Sequence, residues 1–255
     1  MIKELKVDDL RVKVYQDRAK MGEAAASAVG EQIVKLLSQQ EYANVVFASA
    51  PSQNEFLSAL IKQTGIDWKR VNAFHVDEYI GLPENAPQKF GAFLNEKIFK
   101  YLPFRTLNYI NGTAPDSFAE CGRYAELLQQ YPSDIVCLGI GENGHLAFND
   151  PHVADLNDPV RVKIVDLDFE CRRQQVTDGT FDNLNSVPKL AITLTIPALM
   201  AGKHVYGIVP GKNKTIAVYN TLYKKISEQC PASVLRRHPD AVLFLDEDSA
   251  ALIKS

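Results

Sequence analysis

Residues 139–151 read Gly-Ile-Gly-Glu-Asn-Gly-His-Leu-Ala-Phe-Asn-Asp-Pro, three glycines and a histidine directly after an apolar run. Glycine tolerates positive φ and lets backbone approach a ligand closely, so Gly139, Gly141 and Gly144 allow this loop to fold tightly while presenting His145. An imidazole titrates near neutrality and can both take and return a proton. Asn143 and Asp150 flank it, where they could orient the ring and set its tautomer. A structural turn with an incidental surface histidine is the competing reading of the loop by itself.

A second segment, His75-Val-Asp-Glu-Tyr-Ile-Gly-Leu-Pro83, closes a strand with the adjacent carboxylates Asp77 and Glu78. A base placed there would face the same crevice as His145. Spacing alone leaves open a capping Asp beside a solvated Glu, and Tyr79 is open between positioning a substrate and filling the core. A third segment, Ala48-Ser-Ala-Pro-Ser-Gln-Asn54, precedes a helix. Free amides at a helix start, with the hydroxyls of Ser49 and Ser52 and with Gln53 beside them, can hold a phosphate, although Ser and Asn are also ordinary helix caps.

These groups are useful only if the fold brings them together. Short runs rich in Val, Ile and Phe predict strands at 45–47, 71–76, 135–140, 160–165, 191–195, 204–209 and 241–245. Apolar residues at three-and-four spacing predict helices at 21–39, 54–64, 88–101, 116–131 and 212–223. That alternation, without repeat or linker, predicts one α/β domain over residues 1–255: a doubly wound, mostly parallel, Rossmann-like sheet with helices on both faces. In such a sheet ligands bind beyond the carboxyl ends of the strands, where 48–53, 77–83, 139–151 and 210–214 all fall.

The bulk numbers remove other classes. A net charge of -3 over 255 residues offers no general footprint for nucleic acid, so an anion must be held by a local basic cluster. Cys121, Cys137, Cys171 and Cys230 are widely spaced, which predicts neither a zinc site nor a disulfide framework. With no secretory leader or membrane-spanning apolar stretch recognisable, a cytoplasmic protein that partners neither membrane nor nucleic acid is expected. Homo-oligomerisation is left open.

VDEYIGLP and GIGENGHLAFNDP together resemble the paired signatures of the glucosamine-6-phosphate deaminase/isomerase family, which is related to the 6-phosphogluconolactonases. NGTAPD at 111–116, VPKLAITLTIPALM at 187–200 and PASVLRRHPDAVLFLD at 231–246 extend the resemblance in the expected order. It implies conversion of an amino-sugar 6-phosphate to a ketohexose 6-phosphate and ammonia, with a small-molecule sugar phosphate as partner and neither metal nor cofactor. Asp77 matches the carboxylate that moves a proton between C2 and C1, and His145 the histidine that opens the pyranose ring. Asp150 falls where a glutamate supports that histidine, and Asn143 where many members carry aspartate. Lys214 matches the basic residue that contacts the phosphate. Glu78, Gly141 and Gly144 would help to position substrate.

Arg161 and Lys163 match a basic strand that contributes an allosteric anion site in bacterial members. Gln175 stands where an effector-contacting arginine is expected, and the Ser49–Ser52 loop lacks the family's glycines, so effector control and the choice between glucosamine and galactosamine are open. A 6-phosphogluconolactonase is the alternative enzyme, although Leu146-Ala-Phe-Asn-Asp-Pro151 takes the deaminase form. A catalytically silent sugar-phosphate sensor is the alternative of another class.

Overall fold

A computed structural model describes residues 1–254. In chain order the first half comprises β1 (Lys3–Val7), β2 (Leu10–Tyr15), α1 (Arg18–Leu37), β3 (Ala43–Phe47), α2 (Asn54–Leu60), β4 (Val71–His75), β5 (Asp77–Tyr79), α3 (Phe90–Lys97), β6 (Thr106–Asn108) and α4 (Ser117–Gln130). The second half comprises β7 (Ile135–Leu138), β8 (Val162–Asp166), α5 (Phe169–Thr177), β9 (Leu190–Leu194), α6 (Ile196–Met200), β10 (His204–Val209), α7 (Thr215–Tyr223) and β11 (Ala241–Asp246). Among the described residues no helix is long and apolar enough to cross a membrane.

Eight strands pair in the order β1-β2-β11-β10-β7-β3-β4-β6, all parallel except the β1–β2 hairpin. Side chains alternate across the pleat. Val46, Phe74, Val136 and Leu243 enter one core with α4, α6 and α7, whereas Val45, Phe47, Ala73 and Ile135 enter another with α1 and α2. With both faces covered, β3, β4 and β7 are buried along their whole length, as expected of parallel strands under helices. The doubly wound, mostly parallel architecture expected from the sequence is therefore present.

Two strands lie elsewhere. Those expected at 160–165 and 191–195 do not join the parallel sheet; as β8 and β9 they form a second, antiparallel sheet with β5, in the order β5-β9-β8. Its apolar side, with Tyr79, Phe90, Phe148 and Phe181, is a third core. β8 carries half-exposed Lys163 between apolar positions, a pattern of one covered face that a strand buried on both faces does not show.

Asp77 thus sits where the chain passes from the main sheet to the small one. His75, fully buried at the end of β4, spans that passage: its Nδ1 lies 2.8 Å from the Asp77 carbonyl, and its Nε2 accepts the Ile110 N–H at 2.9 Å. The two partners set the tautomer, because a carbonyl must receive a proton and an amide must give one. The Tyr124 hydroxyl completes the joint, accepting from His75 N at 2.9 Å and lying 3.0 Å from the His75 carbonyl.

Burial pushes the His75 imidazole down to about 4 from its ordinary 6.5. A depressed folded pKa means that the unfolded chain binds the proton first, so this contribution to stability is complete above pH 6.5 and is lost as pH falls through about 4. Urea midpoints of the wild type should fall across that window more steeply than those of His75→Gln, whose amide can still donate and accept. Parallel slopes would remove His75 from the acid response.

Candidate active site

At the carboxyl ends of β3, β4, β7 and β10 lies a cleft of about 190 Å³, open at its mouth. Of the residues expected from the sequence it gathers Ser49, Ser52, Asp77, Gly141, His145 and Lys214 on its walls. Asn143, Asp150, Glu78, Gln53 and Gly144 stand behind the walls, whereas Arg161 and Lys163 lie away from the cleft.

The loop after β7 holds His145 through its own backbone and side chains. Gly141 N–H donates to the His145 carbonyl at 3.0 Å, and Asn149 Nδ2 donates to the carbonyls of Leu146 and Leu194 at 2.9 and 2.8 Å. A Cβ built on Gly141 would lie 2.1 Å from His145 Cε1 and 2.3 Å from both ring nitrogens, so the imidazole rests flat on that glycine. Gly144 has φ 87° and a Cβ there would come within 2.7 Å of Cys230 Sγ.

His145 Nδ1 lies 2.8 Å from both Asn143 Oδ1 and Asp150 Oδ1. The Asn143 amide is oriented by its neighbours, since Nδ2 donates to Asp150 Oδ1 at 2.8 Å while Oδ1 accepts His145 N–H at 3.0 Å. Both atoms facing Nδ1 are therefore acceptors, and the ring proton must reside there. Burial alone would push the Asp150 carboxyl up, but the His145 ring and hydrogen bonds from His145, Asn143 and Cys171 hold it below the usual carboxylate range. Asp150 stays an anion, and Nε2 is left with its lone pair and no partner among the described residues.

Asp77 is 5 % exposed, and among the described residues no side-chain or backbone donor reaches its carboxylate. Burial, followed by the negative charge of Glu78, raises its pKa well above the ordinary value. Glu78 turns the other way and accepts the N–H groups of Tyr79, Phe90 and Gly91 at 3.0, 3.0 and 2.9 Å, anchoring the first turn of α3. Its carboxylate thereby supports the backbone of this wall and does not line the cleft. Tyr79 is fully buried among Phe90, Phe148 and Phe181 and belongs to the core.

On the opposite wall the chain after β3 makes a single turn at Pro51–Gln53 before α2. Ser49 Oγ is buried with no hydrogen-bond partner, and Ser52 Oγ accepts from Gln53 Nε2 at 3.1 Å. Gln53 is wholly buried and donates to the Ile208 carbonyl at 3.1 Å, so its side chain supports the loop from beneath and does not line the cleft, contrary to a direct phosphate role. Lys214 is 6 % exposed and its ammonium meets no acceptor among the described residues. Burial lowers its pKa, partly countered by Asp178, Glu142 and Cys171.

A third wall was not singled out in the sequence for this role. Gln174, Gln175, Asp178 and Thr180, on and just after α5, line the cleft beside His145 and Lys214. Glu142 ties this wall to its neighbours: its N–H donates to Gln174 Oε1 at 3.1 Å and its carboxylate accepts from Asn213 at 2.8 Å. The composition of α5, Phe-Glu-Cys-Arg-Arg-Gln-Gln-Val-Thr, carries little amphipathic signal, which hid it. Lys163, expected at an anion site, is instead engaged by Asp158 at 2.8 Å and the Val153 carbonyl at 2.7 Å. Arg161 is exposed beside it.

No metal-ligand spacing is visible in the sequence, yet folding brings His145, Asp150 and Cys171 donor atoms within 4.8 Å of one another. Burial and the Asp150 charge push the Cys171 thiol well up, so it is a protonated group packed against an anion. Asp150, His152 and Asp168 form a second group towards the surface.

Residues 16–244 match the family described as glucosamine-6-phosphate isomerases/6-phosphogluconolactonase. The chain belongs to that family. Over 210 residues it is 34 % identical to a glucosamine-6-phosphate deaminase of Listeria monocytogenes serotype 4a, covering 82 % of this chain and 88 % of the relative. A deaminase of Lactobacillus delbrueckii subsp. bulgaricus is 31 % identical over 90 % of this chain and 97 % of its own. Among solved structures, a monomeric glucosamine-6-phosphate deaminase superposes with a TM-score of 0.87 at 28 % identity, covering 94 % of this chain and 99 % of that one. The 6-phosphogluconolactonase of Thermotoga maritima superposes with 0.76 at 21 % identity, over 93 % and 99 % of the two chains, which is likeness of fold.

The contact between Gly141 and the imidazole makes a direct test. Gly141→Ala should leave the thermal transition cooperative but push the ring off its Nδ1 partners, lowering turnover at least ~10²-fold, the lower range for a misplaced acid–base group. Unaltered turnover would mean that the ring position is unimportant to the chemistry.

Proposed function

We propose that this protein deaminates and isomerises an amino-sugar 6-phosphate, glucosamine 6-phosphate in the first instance, releasing the ketohexose 6-phosphate and ammonia. The carrying observation is that two groups able to move protons, His145 Nε2 and the Asp77 carboxylate, line one cleft whose far wall holds the unpaired ammonium of Lys214. The curated relatives of the same family are deaminases over most of their length, which supports the same reading.

With its proton fixed on Nδ1, the ring can take the anomeric hydroxyl proton at Nε2 and return it to the ring oxygen, opening the pyranose. Asp150 balances the imidazolium formed in between. In the open chain Asp77 takes the C2 proton and delivers it to C1 while the C1 oxygen gains the proton that the amine gives up, leaving a C1 hydroxymethyl group and an imine at C2; water adds there and ammonia departs, which gives the ketone. Lys214, Ser49 and Ser52 would hold the phosphate dianion, for which a buried, unpaired ammonium and an unpartnered hydroxyl are suited donors.

Four buried free thiols suit a reducing compartment and support action in the cytoplasm.

Purified protein given glucosamine 6-phosphate should release ammonia and ketose phosphate, and 6-phosphogluconolactone should not be hydrolysed faster than its background rate. Lactone hydrolysis without ammonia would make it a lactonase; tight sugar-phosphate binding without turnover of either would make it a sensor. Lys214→Ala should raise KM by roughly tenfold or more, the loss of a charge-assisted contact, while unphosphorylated glucosamine remains a poor substrate of the wild type. Equal use of both sugars would remove the phosphate site.

For Asp77 two opposite effects are expected of one substitution. Asp77→Asn should lower turnover at least ~10²-fold. A raised folded pKa means that the native state favours the neutral acid, so the wild type loses this stability as pH rises through the folded value. Asp77→Asn should then be the more stable protein at neutral pH, by an excess that shrinks on acidification. The acid limb of the wild-type kcat/KM profile should likewise lie above the ordinary carboxylate range. A less stable Asp77→Asn at neutral pH would mean that the carboxylate is paired in the native state.

A further inference from the structure

We propose that Arg18 is a second cationic contact for the substrate's phosphate, an arm held by Glu55 and laid beside the two loops that carry Ser49 and Lys214.

Arg18 is the first residue of α1, following its cap Asp17. A cation at a helix N-terminus opposes the helix dipole, so this position gains nothing for the helix itself. The side chain lines the cleft together with Ser49, Ser52, Asn213 and Lys214. One edge of its guanidinium is fixed: Nε and Nη2 donate to the two Glu55 carboxylate oxygens at 3.0 and 3.1 Å, and Nη2 stands 3.5 Å from the Pro51 carbonyl. Close packing sets that arrangement, because a Cβ on Gly22, one turn along α1, would lie 2.7 Å from Glu55 Cβ.

The other edge is not used. Nη1 makes no hydrogen bond among the described residues, and a Cβ built on Gly211 would come 3.8 Å from it. The free donors therefore lie where the turn after β3 meets the turn after β10. That is the end of the cleft with the greatest need of positive charge. Lys214 is the one buried cation there, its charged form is disfavoured by burial, and Asp178 and Glu142 add negative potential beside it. A phosphate dianion carries about two charges near neutral pH, and a planar fork held on one side presents its remaining N–H groups to such an anion at little entropic cost. Glu55 then has a defined part: it positions Arg18 and does not touch substrate.

The identity of the sugar rests on the deaminase reading, but the anion site does not, and the test separates them. KM for glucosamine 6-phosphate would be measured alongside the dissociation constant of inorganic phosphate, titrated into protein without sugar. Arg18→Met, which keeps the aliphatic stem, should raise both by roughly tenfold, with a much smaller change in kcat. Glu55→Gln, which frees the arm but leaves its charge, should raise both by less. If wild type and Arg18→Met bind inorganic phosphate equally, if wild type does not bind it, or if Glu55→Gln reproduces the whole effect, Arg18 is only a tether between α1 and α2 and the proposal fails. Absence of ammonia release by the wild type together with weaker phosphate binding by Arg18→Met would overturn the deaminase reading and leave the arginine in place.

Discussion

The geometry of the cleft depends on how the chain leaves the main sheet after β4. One step beyond His75 the backbone stops pairing with β3 and begins pairing with β9, and the backbone groups at the change are taken up within a few residues. The neutral imidazole of His75 bridges Asp77 and Ile110, the Tyr124 hydroxyl serves both backbone atoms of His75, and Glu78 gathers three amides at the start of α3. A buried backbone group without a partner costs about as much as a lost hydrogen bond, so this crossing is tolerable only because it is so fully satisfied. Its product is a carboxylate, Asp77, left with no partner at the floor of a cleft. The neighbouring residue of the same type is spent on structure.

That contrast runs through the site. Several groups that support the walls are hydrogen-bonded: Glu78 with amides, Gln53 Nε2 with a carbonyl, Glu142 with Asn213, Glu55 with Arg18, while Gln53 Oε1 and the Tyr79 hydroxyl have no partner among the described residues. Four groups that line the cleft have no partner among the described residues: Asp77, Lys214, Ser49 Oγ and His145 Nε2. Leaving buried charges unpaired destabilises the fold, and their pKa values move in the directions that relieve the charge, up for Asp77 and down for Lys214. A ligand bearing a dianion at one end and an acidic C–H at the other would supply the missing partners of both, which is how a site stores binding capacity at the expense of stability.

How much of this could be read from residues alone varied with the range of the interaction. The loop at 139–151 was legible because its glycines, its histidine and the acceptors at 143 and 150 are local in sequence, and the parallel strands were legible because burial on two faces makes continuous apolar runs. The β1–β2 hairpin was missed although its side chains alternate between half-buried and exposed, since charge alternation at a terminus resembles a solvated tail. β5 is three residues long and β6 three, too short for any period to show. β8 and β9 were found as strands but assigned to the wrong sheet, because pairing partners are set by tertiary contacts. Gln53 was read as a phosphate contact and Glu78 as a positioning residue, and which way such a side chain turns depends on neighbours at positions 208, 90 and 91. The α5 wall and Arg18 lacked any local mark for the same reason: their partners lie more than thirty residues away in sequence.

Asn143 shows how a substitution that looks like a loss can be part of the design of the site. A neutral amide in place of a carboxylate suggests a less well supported imidazole, but the support comes from Asp150, which touches Nδ1 directly at 2.8 Å. What Asn143 contributes is the joining of two hydrogen-bond requirements of opposite sense, donating to Asp150 while accepting from His145, a combination available to an amide and not to a carboxylate. A carboxylate in its position would face Asp150 Oδ1 at that same 2.8 Å, and two anions so close cannot both remain charged; the pair would hold a proton between them and titrate as a unit. Asp150 would then no longer be a fixed charge beneath the ring. With the amide present, one carboxylate carries one charge, the amide is oriented by that charge, and the imidazole proton is directed to Nδ1, so that the atom facing the cleft is the one with a free lone pair.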